Sequence, residues 1–279
     1  MKVGVIGAGV MGRGIAQVSA MAGHKVVLFD INHEVLEAAK TAVTKNLNKA
    51  IELGKLSEEG KRSAEDNMQY TNSIADVQVE LIIEAIVERL DVKTKVLADL
   101  AEINGESTIY ASNTSSIPLT QIAANFVYPK QVVGIHYFNP AHIMKLVEVI
   151  SAEQTSPKVV KVALEYVKSV NKTCVVAKDA PGFIVNRVAR HFYVEGLKIL
   201  EEDVASHDVI DDLVRASGFK MGPFQLMDLI GVETNLSVTE SMYKLFNYDQ
   251  KFRPNRIQQK KAQAGYYGRK SGKGFYTYE

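Results

Sequence analysis

The segment from Lys2 to Asp30 constrains the fold more than any other. Lys2 to Ile6 is a short apolar run that reads as a buried strand, and it leads directly into GAGVMG at Gly7 to Gly12. An apolar-periodic helix follows to about Ala22, Gly23 ends it, and KVVLF runs to Asp30. Strand, glycine turn, helix and strand in this order form a unit with two parallel strands, the seed of a doubly wound α/β sheet. The three glycines serve different purposes. Gly7 permits the tight turn, Gly9 lets a diphosphate approach the backbone, and Gly12 lets the helix pack on the strand. The helix N-terminus then offers N–H groups and the positive end of its dipole to phosphates. Asp30 stands 18 residues after Gly12, near the ~20-residue spacing of an acid that accepts from ribose hydroxyls. Its charge would repel a 2′-phosphate, so NAD is expected rather than NADP. A glycine-rich turn without function is the bland alternative. FAD shares the fingerprint, so the second half of the chain must decide between the two cofactors.

The remaining composition is that of an ordinary globular protein, 46% hydrophobic and 23% charged over 279 residues, enough for two domains. A net charge of +1, with basic residues scattered among acidic ones, argues against a nucleic-acid partner. Cys174 is the only cysteine, so no intrachain disulfide can form; it sits in TCVVA and reads as a buried strand residue, at home in a reducing cytoplasm. MKVGVIGAGVMG is broken by glycines and followed by Arg13, unlike a signal peptide. No apolar stretch approaches the roughly 20 residues of a membrane helix, and no metal site is expected.

Residues 33–66 read as two helices joined by a turn near Gly54, inserted where a simple doubly wound unit has one helix. Strand signals return at about 69–72 and at LIIEAIV, 81–87; a helix follows with Asp91 as its N-cap. TIYAS, 108–112, is another buried strand and ends in SNTSS, 112–116. Next come VVGIH, ending at His136, the segment YFNPAHI, and MKLVEVI, where Met144, Leu146, Glu148 and Ile150 share one face by alternation. A carboxylate on that apolar face is costly unless paired, and His136 is the obvious partner. Such a pair is either general-base machinery or a buried structural ion pair. SNTSS and His136 fall at strand carboxyl ends, where ligands bind in open parallel sheets. TCVVAKDAPGF, 173–183, reads as a last strand and the start of a helix, with Pro181 near its first turn. The domain boundary is placed there, with 1–182 as the nucleotide-binding domain and 183–279 as an all-helical domain. Helices are expected at 183–201, 208–217, about 233–246 and 254–264, with a further apolar segment at 221–231. Asn186, Arg190 and Tyr193 share a helical face; Asn186 either meets solvent or, beside Phe183, Ile184 and Val185, has a partner. GRKSGKGFYTY reads as a solvated turn before a short docked tail.

GAGVMGRGIAQ, EAIVERLDVK, ASNTSS, GIHYFNPAHIMKLVEVI, APGFIVNR, MGPFQLMDLIG and GRKSGKGFY, in this order, resemble the signatures of the L-3-hydroxyacyl-CoA dehydrogenase family, in its 3-hydroxybutyryl-CoA dehydrogenase form. The resemblance spans essentially the whole chain. It implies a Rossmann-like domain that binds NAD and a helical domain that forms a homodimer. It implies that His136 is the general base, that Glu148 holds its imidazole, and that Ser115 and Asn186 hydrogen-bond the reacting oxygen or its neighbours. It places Gly7, Gly9, Val10, Met11, Gly12, Asp30, Glu88, Lys93, Asn113 and Lys270 along the cofactor. From charge alone, Glu88, Lys93 and Lys270 read only as solvated. It docks coenzyme A on the 33–66 hairpin, where Lys49 and Lys55 are candidates for its phosphates, with Asn139 of HYFNP as a further substrate contact. Tyr137 stands where the family commonly has phenylalanine, a change expected to leave the chemistry intact. NRVARHFYVEGLKILEE also resembles the branch acting on 3-hydroxyadipyl-CoA, with Arg190 a candidate partner for a distal carboxylate. Other readings are a hydroxy-acid dehydrogenase of the same plan without CoA, or a non-catalytic NAD-binding sensor.

Overall fold

The structure, a computed structural model, describes residues 1–278. It comprises two compact units, Met1–Ala180 and the chain from Pro181 onward.

The first unit is built on one eight-stranded sheet. Its strands are β1 (Lys2–Ile6), β2 (Lys25–Phe29), β3 (Met68–Thr71), β4 (Leu81–Glu84), β5 (Ile109–Ser112), β6 (Val132–Tyr137), β7 (Leu146–Ser151) and β8 (Thr173–Lys178). They lie in the order β3-β2-β1-β4-β5-β6-β7-β8. Pairing is parallel from β3 across to β6, antiparallel between β6 and β7, and parallel between β7 and β8. The chain winds outward from β1 in both directions, so the crevice at the carboxyl ends of β1 and β4 is the switch point of a Rossmann-like sheet.

Six helices cover the sheet: α1 (Val10–Met21), α2 (His33–Glu52), α3 (Glu58–Asp66), α4 (Leu90–Asn104), α5 (Leu119–Ala124) and α6 (Pro157–Ser169). With helices over the sheet, the central strands are apolar almost throughout rather than alternating. Val3, Val5, Leu28, Ile83, Ala111, Ile135 and Val149 pack with Ile15 and Ala16 of α1 and Val159, Ala163 and Val167 of α6. The expected hairpin at 33–66 is α2 and α3. Asn32 caps the first by accepting from the Glu34 and Val35 N–H groups, and Ser57 caps the second through the Gly60 N–H. Val43, Leu47 and Ala64 form its own small core.

Several boundaries differ from the sequence reading, each for a local reason. Asp91 is not the N-cap of α4: the helix begins at Leu90, and the Asp91 carboxylate pairs with the Arg89 guanidinium. Met144 does not share the face of Glu148. It lies before β7 and is exposed, because its N–H closes a turn onto the Pro140 carbonyl. Cys174 is only half-buried, because β8 is the edge strand.

The second unit contains α7 (Val185–Glu201), α8 (His207–Ala216), α9 (Pro223–Ile230), α10 (Val232–Leu245) and α11 (Arg256–Gln263). Helix α7 starts two residues later than expected, since Gly182 (φ +71°) and Phe183 (φ +47°) are left-handed. Tyr193, Leu197, Ile210, Phe224, Met227, Val232 and Phe275 form its core. Two buried aspartates organise it. Asp211 accepts from the Phe224 and Gln225 N–H groups (2.9 and 2.8 Å) at the start of α9, and from the Tyr276 hydroxyl (2.8 Å). Asp228 accepts from the Phe275 and Tyr276 N–H groups (both 2.9 Å) and the Tyr278 hydroxyl (3.0 Å), and so docks the C-terminal tail. The tail must come very close: a Cβ on Gly274 would stand 2.1 Å from Asp228 Oδ1. Among the described residues no helix is long and apolar enough to cross a membrane.

Replacing Asp228 by alanine leaves two backbone N–H groups without an acceptor. Urea unfolding of Asp228→Ala should show a loss of about 3 kcal/mol, and a change below about 0.5 kcal/mol would contradict this account of the tail.

Candidate active site

The glycine turn after β1 is built by exclusion. A Cβ on Gly12 would lie 1.7 Å from the Gly7 carbonyl oxygen, so α1 can close on the turn only with glycine there. Gly7 has φ +97°, and its N–H donates to the Phe29 carbonyl at 2.8 Å. Gly9 is the opposite case: a Cβ there would meet nothing within 4 Å, which leaves open space over the backbone at the N-terminus of α1. Gly9 is also the N-cap and supplies no side-chain acceptor to the first-turn N–H groups. Val10 points outward and Met11 packs against the core.

Asp30 follows β2 at the same edge. Its Oδ2 accepts from the Ala8 N–H (2.8 Å) and its Oδ1 from the Asn32 N–H (3.0 Å), which fixes the carboxylate between the glycine turn and the start of α2. A cavity of about 880 Å³ opens here, lined by Gly7, Gly9, Asp30, Ile31, Ile74 and Val87 among others. Open space over Gly9, an N-terminus without a capping side chain, a fixed carboxylate and apolar walls fit the diphosphate, ribose and base of NAD.

Across the sheet, β6 and β7 bring His136 and Glu148 directly opposite each other. Glu148 Oε2 lies 2.8 Å from His136 Nδ1, with the glutamate fully buried and the histidine 5% exposed. Phe138 lies against the imidazole, ring centres 4.7 Å apart. Asn113 accepts from the Tyr137 N–H at 2.8 Å and so pins the loop after β5 to the end of β6, one residue from His136. Ser115 follows in that loop, half-exposed. The Tyr137 hydroxyl donates to Tyr166, which contacts Ser19 of α1 in a buried chain of hydroxyls.

Lys93 is not the solvated charge that sequence alone suggests, and Glu88, although exposed, is tied into the same cluster. Lys93 is 1% exposed and bridges Glu84 (2.6 Å) and Glu88 (3.1 Å). Glu88 Oε1 gathers the Thr114 hydroxyl (2.6 Å) and the Ser115 and Ser116 N–H groups (2.9 and 3.0 Å). Burial pushes the Glu88 carboxyl up, but the Lys93 ammonium and these hydrogen bonds outweigh it and hold it below the ordinary glutamate value. Glu84, buried at the end of β4, escapes the sequence reading, although a carboxylate in LIIEAIV carries the same signal as Glu148 in KLVEVI.

The other candidates are more dispersed. Lys49 is exposed and paired with Glu52 (2.8 Å), and Lys55 and Asn139 are exposed. Asn186, in the first turn of α7, and Lys270, paired with Glu233, belong to the second unit. Arg190 is not open to solvent: it is 3% exposed, and its Nη1 donates to the Asn235 carbonyl and side-chain oxygens (both 3.0 Å) and to Thr239 Oγ1 (2.8 Å).

The 3-hydroxyacyl-CoA dehydrogenase NAD-binding domain model matches residues 2–180, and the C-terminal domain model of the same enzymes matches residues 182–278. The chain belongs to the 3-hydroxyacyl-CoA dehydrogenase family. The cofactor of its first unit is NAD. An Escherichia coli K12 relative named 3-hydroxyadipyl-CoA dehydrogenase is 44% identical over 99% of this chain, which spans only 58% of that protein. A probable 3-hydroxybutyryl-CoA dehydrogenase of Deinococcus radiodurans is 39% identical over 100% of both chains. A crystal structure of (S)-3-hydroxybutyryl-CoA dehydrogenase from Ralstonia eutropha superposes with a TM-score of 0.95 at 38% identity, covering 100% of this chain and 99% of the other. Within this family Gly9 should bear on binding and not on folding, since a Cβ there meets nothing within 4 Å. Gly9→Ala should unfold like the wild type yet lose roughly tenfold or more in NADH affinity, measured by fluorescence titration. Wild-type affinity in that variant would show that the diphosphate does not approach Gly9.

Proposed function

We propose that this chain catalyses the reversible NAD-dependent oxidation of short-chain L-3-hydroxyacyl-CoA, such as 3-hydroxybutyryl-CoA, to 3-ketoacyl-CoA. The observation that carries the reading is the buried His136–Glu148 pair on β6 and β7 of a sheet whose glycine turn and Asp30 fit NAD. Glu148 on Nδ1 orients the imidazole and stabilises its protonated form, and Nε2 takes the proton of the substrate 3-hydroxyl. NAD, when bound, supplies the hydride acceptor. Ser115 hydrogen-bonds the reacting oxygen or its neighbours as charge develops on it, and Lys49 and Lys55 on the α2–α3 hairpin meet the phosphates of coenzyme A. Glu88, Asn113 and, through its ion pairs, Lys93 order the nicotinamide side of the site.

Short-chain substrates are favoured by the full-length relatives named for 3-hydroxybutyryl-CoA. The name of the Escherichia coli relative raises a dicarboxylic acyl chain, but Arg190 is taken up by Asn235 and Thr239 and lends that alternative no support. The protein works in the cytoplasm as a homodimer through its second unit. Support for the dimer comes from α8, which exposes Val209 and Leu213 one turn apart, with Val204 and Phe219 exposed on either side.

Oxidation of NADH should proceed with acetoacetyl-CoA and fail with free acetoacetate; equal turnover of the free acid would remove coenzyme A from the reading. Glu148→Gln, close in shape, should keep NADH affinity and lower kcat by about 10²- to 10⁴-fold. An unchanged kcat would reduce the pair to a structural one. Light scattering should give twice the chain mass, falling to one chain in Leu213→Glu; an unaltered dimer in that variant would move the interface elsewhere.

A further inference from the structure

Five residues in the first unit close a ring of polar contacts at the carboxyl ends of the strands. Glu84 Oε2 accepts from the Ser112 hydroxyl at 2.6 Å, and that hydroxyl accepts from the Thr114 N–H at 3.2 Å. The Thr114 hydroxyl donates to Glu88 Oε1 at 2.6 Å. Glu88 Oε2 meets the Lys93 ammonium, which returns to Glu84 Oε1. Glu84 Oε1 also accepts from the Ile86 N–H at 2.7 Å, so three donors hold this carboxylate.

The ring joins three elements that frame the site. Glu84 pairs in register with Ile6, next to the glycine turn, and with Ser112, next to the SNTSS loop. The turn after Glu84 presses on Gly7, where a Cβ would lie 2.8 Å from the Ala85 carbonyl oxygen. Beyond Ser112, Asn113 holds the Tyr137 N–H beside His136. Two fully buried ionised groups are an expensive way to gain stability, since an apolar pair of similar volume generally serves as well or better. What a saturated ring supplies is one fixed geometry.

We propose that Glu84 is a positioning residue: through Lys93 and Ser112 it sets the 112–116 loop and Glu88 against the glycine turn, in the geometry that NAD and the reacting oxygen require. Its effect on NADH rests only on the NAD site; its effect on turnover rests on the dehydrogenase reading above. Glu84→Gln keeps the shape and removes the charge that holds Lys93.

The experiment is NADH titration and acetoacetyl-CoA turnover for wild type, Glu84→Gln, Lys93→Met and the double variant, with Ser112→Ala as a milder break of the same ring should Glu84→Gln fail to fold. Each single charge variant should weaken NADH affinity about tenfold and lower kcat by a similar factor, with Ser112→Ala about threefold in both. The double variant should be no worse than either single one, as expected of residues acting through one contact. A purely structural role would reduce the active fraction and leave the NADH dissociation constant of the folded protein unchanged. That result, or additive losses in the double variant, would overturn the proposal. If the wild type does not turn over the thioester but the NADH losses occur as stated, the substrate reading fails and the positioning role stands.

Discussion

The antiparallel pairing of β6 with β7 is the constraint on which the site depends. Only residues 138–145 separate the two strands. A parallel neighbour needs a crossover of a dozen or more residues, so a connection this short forces the chain to reverse. Reversal makes residues directly opposite each other share a face, and the register sets His136 against Glu148. The carboxylate is therefore aimed at the imidazole by backbone hydrogen bonds. The connecting loop is held as well: the Lys172 ammonium donates to the Ala141 and Met144 carbonyls, both at 2.7 Å. Ala141 in turn lies where a Cβ on Gly14 of α1 would reach it, at 3.1 Å.

Buried carboxylates recur as the organising device of both units. Glu84 and Glu148 end or cross the sheet, and Asp211 and Asp228 join helices to the following chain; all four are 1% exposed or less. Each is satisfied by donors from a different element, so each works as a staple between elements. Removing a donor leaves a charge stranded in a low-dielectric interior. Glycines stand against the two aspartates because a side chain there would push the donors away: a Cβ on Gly222 would meet Asp211 Oδ1 at 2.2 Å.

The Rossmann-like sheet, the inserted hairpin and the helical second unit are legible in the sequence because each rests on local periodicity and turn residues. The pairing of His136 with Glu148 is legible because a charge interrupts an apolar alternation. Glu84 carries the same mark, but it is masked by the run of neighbouring charges from Glu88 to Lys93, which points toward solvent. Lys93 too has a signal, since it shares the buried face of α4 with Leu97 and Leu100 at helical spacing. Asp228 has one as well, inside LMDLI and one turn after the buried Phe224, but its partners are not legible, and neither are those of Asp211. Their partners lie 13 to 65 residues further on in the chain, mostly as backbone N–H groups, which no side-chain pattern reveals.

Arg190 shows where helical spacing alone misleads. Its position one turn beyond Asn186 suggests a guanidinium available to a ligand carboxylate. In the folded unit it faces α10 instead, where a carbonyl, an amide oxygen and a hydroxyl all accept from Nη1. Among the described residues no carboxylate pairs with it to offset the cost of burial, and burial lowers its pKa to about 10. It remains charged at neutral pH because three dipoles converge on it and the Tyr193 ring lies 5.1 Å away. The same side chain that reads as a specificity element on a helical wheel thus acts as a tie between α7 and α10. Charge and spacing propose a partner, and only the neighbouring helix decides which one is met.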